Sequence, residues 1–469
     1  MTDAGDGFVL NDAHSALNPT RVARVIRPAT IEDVATAVRT AAAEGRGVSI
    51  AGSRHAMGGQ QFGTDTVHLD MRGMTRILEL ERDTGIVHAQ AGIEWWELID
   101  GLLAMQANAP AAWGIRQKQT GSDHLTLGGA LAANIHGRGL TQRPIVADVE
   151  SFTLVDPAGD VREVSRATDP ELFRLVIGGY GLFGVVTSVR LRLAPRRILR
   201  RVVTLLSVDA LMDGFEERIA SGYLFGDCQF SIDERSEDFL RVGIFSCYGP
   251  DDTVTAIPDG QLALSRQDWG RLLYLTHADR AAAADAYIAH YTATSGQLYW
   301  SDLHQRSEYI AGYHTALDRV TGATTAGSEI ITEIYVPRAA LASFMKDAVA
   351  ALRDGDPPVV YGTIRLVERD DEAVLTWARE PWACIIFNLH TRHDEAGMAS
   401  SAEAFRMLIE LARAYGGSYY LTYHRFATAE QLEACHPRFR EFLAAKRRLD
   451  PDDRFASDWY RFYRGALAD

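Results

Sequence analysis

The sequence is poor in lysine, poor in cysteine and without any long apolar run. Only Lys118, Lys346 and Lys446 occur among its 48 basic residues, leaving 45 arginines, so lysine chemistry has few places to operate. The arginine bias reads as a GC-rich bacterial genome. Four cysteines (Cys228, Cys247, Cys384, Cys435) lie far apart with no CxxC pair, which excludes a disulfide frame or a cysteine-based zinc site. No run approaches the roughly 20 apolar residues of a membrane helix. Basic residues are outnumbered by 62 acidic ones, giving −14, and a duplex-binding protein needs the opposite footprint. The N-terminus lacks a basic then apolar leader, so cytoplasm is the expected compartment. No GxSxG elbow and no metal-ligand spacing is present, which argues against a hydrolase and leaves no metal expected.

What is present is an ordinary globular composition, 47% hydrophobic and 23% charged, over 469 residues. That length suits roughly two to three domains of ~150 residues. The first 195 residues alternate short strands and helices and are dense in glycine. Thr30 is suited to cap a helix running to Ala43, with Glu32 and Asp33 at its positive end, and residues 47–51 form a strand entering a glycine-rich loop. From 200 to 415 the pattern predicts an antiparallel sheet with helices on one face: strands over 223–232, 238–247, 329–336, 359–367 and 384–390, and helices over 209–219, 280–290 and 339–352. Residues 403–469 read as helix, strand, helix and an irregular tail. The fold class is α+β.

Gly179-Tyr-Gly181-Leu-Phe-Gly184 satisfies GxGxxG, but the order around it is inverted. A helix capped by Asp169-Pro170 precedes it and the strand Val185-Val186-Thr187 onward follows it, whereas a dinucleotide fold needs the reverse. Two other segments read as phosphate cradles, where small residues free main-chain N–H groups to converge on an anion. They are residues 51–60 (AGSRHAMGGQ) and residues 120–139 (TGSDHLTLGGALAANIHGRG).

Four features in this order resemble the FAD-binding family of vanillyl-alcohol oxidase and p-cresol methylhydroxylase: Arg27-Pro28-Ala29-Thr30, the loop 52–60, Leu127-Gly128-Gly129 to His136-Gly137, and Asp169-Pro170-Glu171-Leu172-Phe173 leading into residues 178–184. The tail LDPDDRFASD at 449–458 resembles the end of decaprenylphosphoryl-ribose oxidase and aldonolactone oxidase chains. The resemblance implies a two-domain fold. Residues 1–200 would form the FAD-binding domain, 201–415 a cap over the isoalloxazine ring, and 416–469 a segment returning to the FAD domain. It implies FAD held by Gly52, Ser53, Arg54, His55, Ala56 and Gln60, by Gly121, Ser122, Thr126, Gly128, Gly129, Asn134, His136 and Gly137, and by Gly181, Val185 and Val186. In relatives such as cytokinin dehydrogenase and alditol oxidase a histidine at the place of His55 bonds to the flavin 8α-methyl carbon. A single covalent link through His55 is therefore expected, since no cysteine lies between Thr120 and Gly139 to make a second.

Strand parity places polar and aromatic residues on one cap face: Glu333 with Ile331 and Tyr335; Tyr361, Thr363 and Arg365; Asn388 and His390. By the resemblance, Glu333 and Arg365 match residues that touch substrate in sugar and polyol oxidases. Tyr423, or His424 with a one-residue slip, stands where those enzymes carry a lysine. Asp123 lies two residues from the place of the cytokinin dehydrogenase base and is not given that role. The expected chemistry is FAD-dependent oxidation of a CH–OH group of a sugar, polyol or lactone. Tyr423, His424 or His390 would be the base, Arg365 would stabilise negative charge, Glu333 would bind substrate hydroxyls, and Tyr335, Tyr361 and Asn388 would line the substrate site. The alternatives are oxidation of an aromatic alcohol or N-alkyl amine, and a non-catalytic flavin-binding protein. The electron acceptor, oxygen or another, and the oligomeric state are not readable.

Overall fold

A capping box starts the first helix: Thr30 accepts from the Asp33 N–H and Asp33 accepts from the Thr30 N–H. The computed structural model describes residues 7–107 and 112–467, so part of the N-terminal stretch considered for a leader lies outside the described residues. Helix Ile31–Ala43 turns Val34, Val38 and Ala41 inward against a three-stranded parallel sheet, Arg24–Ile26, Val67–Asp70 and Val48–Ala51 in spatial order. The C-terminal tail completes this layer. Val48 N–H donates to the Arg454 carbonyl at 2.6 Å and Ala456 N–H to the Val48 carbonyl at 3.0 Å, so Phe455 runs parallel to Val48. Asp450 shapes that turn. Its carboxylate accepts the N–H groups of Arg454 and Phe455, each at 2.8 Å, and the ammonium of the fully buried Lys446.

A second sheet, all antiparallel, follows the order Val161–Ser165, Val149–Val155, Val185–Arg192, Ile86–Gln90, Ile77–Glu81. Helix Pro170–Val176 precedes the GxGxxG segment and strand Val185–Arg192 follows it, as the inverted order required. Its glycines serve backbone geometry: Gly181 (φ +75) and Gly184 (φ +150) lie where side chains are strained, and a Cβ on Gly179 would sit 2.0 Å from the Leu175 carbonyl oxygen.

The remaining large element is an eight-stranded antiparallel sheet. Its spatial order is Leu298–Trp300, Ile198–Ser207, Val242–Pro250, Phe225–Phe230, Val359–Val367, Trp382–Arg392, Gly327–Pro337, Ser418–Tyr419. Helices Leu211–Ala220, Leu341–Leu352 and Glu395–Ala414 cover the face carrying Phe245, Ile330, Ile334, Ile364 and Phe387. Helices are not confined to that face. Arg266–Ala278 and Arg280–Ala293 bury Leu272 and Tyr287 against Val203 and Ile244 on the opposite side. Sequence periodicity missed the first of these helices, which buries only Leu272 and Thr276, and Tyr313–Thr321, a nine-residue helix that buries only Leu317. Two further boundaries differ. The strand expected from 238 begins at Val242, because residues 238–241 turn, and the chain ends in helix Asp458–Ala466, not an irregular tail. Among the described residues no helix is long and apolar enough to cross a membrane. The whole is an α+β, two-domain arrangement built on antiparallel sheets.

The Lys446–Asp450 pair tests what holds the tail to the parallel sheet. Removing one partner of a buried ion pair strands the other, so Lys446→Met is expected to cost about 3 kcal/mol in urea unfolding. Exposed pairs such as Arg24–Glu44, screened by water, should change the unfolding midpoint little by the same measurement.

Candidate functional site: a cleft under the cap sheet

Three pieces of glycine-rich backbone and one edge of the cap sheet converge on a cleft with about 1490 Å³ of empty space, counting its open mouth. The floor is loop 51–61, which leaves strand Val48–Ala51. The opposite wall is Gln119 to Ser122 and helix Leu127–Ala133, Gly181 to Val186 close one side, and Ile331, Tyr420, Thr422 and Tyr423 form the roof.

Local sequence explains why the backbone is bare here. A Cβ on Gly52 would lie 2.0 Å from Thr126 Oγ1, and one on Gly128 would lie 3.0 Å from the Ala91 carbonyl oxygen. Only glycine lets these segments approach so closely. Thr126 caps helix Leu127–Ala133 through the Gly129 N–H, and Arg54 adopts φ +61 in the turn that presents His55. Among the described residues, no main-chain N–H of residues 53–57 donates to another protein atom, and the Nε of Arg54 and the Oε1 atoms of Gln60 and Gln61 are buried without a partner. Free donors on a loop beside an unpaired guanidinium N–H suit an anionic group such as a diphosphate. The residues fit FAD.

Of the residues expected to hold the cofactor, Gly52, Ser53, Arg54, His55, Ala56, Gln60, Gly121, Ser122, Thr126, Gly128, Gly129, Gly181 and Val186 line the cleft. Asn134, His136, Gly137 and Val185 do not. Asn134 donates to Asp370 at 2.9 Å and accepts from Val146 N–H at 3.1 Å, fastening the loop from behind. The lining also includes His14, Gln61, Gln119 and Tyr180, which sequence reasoning did not select. His55 packs its ring edge-on to Tyr309 at 5.1 Å and near His14 at 6.3 Å. Burial, with a smaller contribution from His14, lowers its pKa to about 4, so the imidazole is neutral at pH 7.

Above the cleft the parity reading places a polar cluster on one cap face. Glu333 is 3% exposed; its carboxylate lies 2.8 Å from His136 Nε2 and accepts from the Tyr335 hydroxyl and, at 3.4 Å, from the Tyr423 hydroxyl. Burial alone would raise its pKa. The His136 ring and the hydrogen bonds of His136 and Tyr335 outweigh it, and the carboxyl ends below its ordinary value. Tyr423 carries this cluster to the cleft wall, and burial beside Glu333 holds its hydroxyl protonated. Tyr335 is wholly buried under Trp377, 4.9 Å away. Arg365 donates to Thr120 Oγ1 at 2.6 Å, bridging the cap to the second cradle. Beside it Lys118 is fully buried, paired with Asp123 at 2.9 Å, and desolvation lowers its pKa to about 8. The one visible sign of Lys118 was scarcity, a lysine in a chain with three, three residues before Gly121.

The other candidates fall elsewhere. His390 faces Glu329, not Glu333. His424 stacks on Phe426 with both ring nitrogens unpartnered, outside the cleft lining. Tyr361 and Asn388 share the polar face, opposite one another across the strand pair, without lining the cleft.

Comparison with known proteins agrees with this geometry. Residues 22–165 match a family model described as an FAD binding domain, and residues 328–463 one described as D-arabinono-1,4-lactone oxidase. Decaprenylphosphoryl-beta-D-ribose oxidase of Mycolicibacterium smegmatis is 24% identical, with 94% of each chain covered. L-gulono-1,4-lactone dehydrogenase of Mycobacterium tuberculosis is 23% identical over 93% of this chain and 95% of its own. An oxidoreductase of the fasciation locus of Rhodococcoides fascians is 30% identical over 46% of this chain, which spans about half (48%) of that relative. Fold, cleft and matches define an FAD-dependent oxidoreductase. The chain belongs to the FAD-binding flavoproteins of the p-cresol methylhydroxylase type.

Gly52 offers a direct test of the cleft. Gly52→Ala must push Thr126 away, and FAD affinity is expected to fall at least ~10-fold, equal to ~1.4 kcal/mol, in titration of the apoprotein followed by flavin fluorescence.

Proposed function

We propose that this protein oxidises a CH–OH group of a sugar, polyol or lactone-type substrate, with residues 1–200 and 416–469 holding FAD and 201–415 capping it. The observation that carries this reading is Tyr423. Tyr423 lines the cleft, and its hydroxyl donates to the ionised, buried carboxylate of Glu333. A substrate hydroxyl placed against Tyr423 passes its proton to the phenol oxygen while Tyr423 hands its own to Glu333. His136 and Tyr335 keep that carboxylate in place by their hydrogen bonds. Bound FAD supplies the hydride acceptor at N5. Arg365 and Lys118 put positive charge beside the same wall, where it favours oxyanion character on the substrate oxygen. The names of the relatives, a ribose oxidase, a gulonolactone dehydrogenase and an arabinonolactone oxidase, support a carbohydrate-like substrate.

The test is anaerobic flavin bleaching with polyols, aldonolactones, phenols and N-alkyl amines. Bleaching by the first two classes is expected, and bleaching by amines or phenols alone overturns the reading. With the responding substrate, Tyr423→Phe and Glu333→Gln should each slow reduction by ~10²–10⁴ with FAD content unchanged.

We also propose a single covalent link from His55 to the flavin 8α-methyl carbon. A neutral imidazole at the wall is the required nucleophile. Acid precipitation should leave the wild-type pellet yellow and release the colour from His55→Ala. Because a pKa near 4 keeps the ring neutral, coupling of FAD to apoprotein should be nearly as fast at pH 5 as at pH 7.5, and be lost only as pH falls through about 4. A histidine at the ordinary value of about 6.5 would instead slow ~30-fold at pH 5.

A further inference from the structure

A second glutamate on the same face of the cap, Glu329, is buried among histidines that the proposed reaction does not use. It precedes Glu333 by four residues on strand Gly327–Pro337, and is 3% exposed. Three rings from three other elements meet its carboxylate. His277 Nε2, from helix Arg266–Ala278, is 2.6 Å from Oε1. His314 Nδ1, from helix Tyr313–Thr321, is 3.0 Å from Oε2, and His390 Nδ1, from the neighbouring strand, is 3.6 Å from Oε1. His277 and His390 stand perpendicular, their centroids 5.0 Å apart.

The far nitrogens decide what the near ones can do. His277 Nδ1 is 2.8 Å from the Leu273 carbonyl oxygen, and His314 Nε2 is 3.0 Å from the His14 carbonyl oxygen. A carbonyl only accepts, so each of these nitrogens carries the hydrogen. In the neutral ring the nitrogen aimed at Glu329 is then a lone pair facing another acceptor. Two such pairs on one carboxylate need a cation between them or a second proton on each ring. Glu329 Oε2, His314 Nδ1 and His390 Nδ1 make no hydrogen bond at all. Histidine ligands whose other nitrogen donates to a carbonyl are the usual outer-shell arrangement of a metal site. Donors sharing a tetrahedral ion at ~2.0–2.1 Å stand ~3.4 Å apart, close to the 3.6 Å between His390 and Glu329 here, and the 2.6 Å of His277 asks that ring to withdraw slightly.

We infer that Glu329, His277 and His390 form a binding site for a divalent transition metal, with His314 against the second carboxylate oxygen and zinc as the ion that this nitrogen and carboxylate set suits. The ion fastens helix Arg266–Ala278 to strands Gly327–Pro337 and Trp382–Arg392 of the cap. Through the Glu329–His314 and His314–His14 contacts it also braces the N-terminal segment whose His14 lines the cleft near His55. A different trio, His136, Glu333 and Cys384, also lies close enough to hold a metal, but it would bring a sulfur ligand.

The test uses the full-length, FAD-loaded protein. It is dialysed against zinc, passed through a desalting column, and measured for zinc per chain and by zinc X-ray absorption. The expected result is about one zinc per chain with a nitrogen/oxygen shell at ~2.0–2.1 Å and no sulfur at ~2.3 Å. Glu329→Gln and His390→Gln should each weaken retention at least ~10-fold, with FAD content and elution volume serving as the check on folding. Zinc retention below about a tenth of an equivalent in the wild type overturns the site, because the rings are then held by protons. A sulfur shell, or full retention in both folded variants, also overturns it by moving the metal elsewhere. Should both variants fail to fold, the wild-type stoichiometry and ligand shell decide the matter alone.

Discussion

Burying the carboxylate of Glu333 is the constraint around which the cap and the cleft are arranged. A carboxylate at 3% exposure is costly unless donors replace its water, and Glu333 takes them from His136, Tyr335 and Tyr423. Those donors come from the second cradle, from the strand itself and from the C-terminal segment. Satisfying one charge therefore fixes three distant pieces of chain against each other. The main-chain bond from Tyr420 N–H to the Glu333 carbonyl at 3.0 Å holds the C-terminal segment in the same place. Tyr423 thereby reaches the cleft wall.

The floor of the cleft rests on the opposite principle, the removal of side chains. Gly52 and Gly128 bring backbone within contact of Thr126 and Ala91, beside a loop whose main-chain donors at residues 53–57 have no partner among the described residues. A rigid, donor-rich floor under a polar, aromatic roof suits a flat cofactor held from below and a substrate presented from above. The cap strand carries a second buried glutamate at the other end of the same face. Glu329 is surrounded by histidines as Glu333 is by tyrosines and His136, so one strand organises two polar clusters with different chemistry.

Much of the architecture was legible in the chain. The Thr30 cap, the inverted order around Gly179 to Gly184 and the strand over 359–367 follow from local rules of capping, turn chemistry and alternation. So did the glycine loops, since glycine's backbone reach is a property of single residues. Alternation also put Glu333, Arg365, Asn388 and His390 on one face. It could not say which end of that face meets the cleft, and there the residues part: Arg365 reaches Thr120, whereas His390 joins Glu329. Residues 250–325 were the least readable stretch, because their helices pack with narrow apolar stripes against the polar face of the sheet.

The sequence alone determined the α+β class, the glycine cradles, the cap strands and the family, because each rests on local pattern or on a motif contiguous in the chain. Only the tertiary structure decided the rest. It put Lys118 beside Arg365, brought His14 and Tyr309 to His55, set Asn134 and His136 behind the cleft wall instead of on it, and gave Tyr423 rather than His424 the place on that wall. Each of these contacts joins residues far apart in sequence, and what brings them together is the need to pair buried charges and donors once water has been excluded.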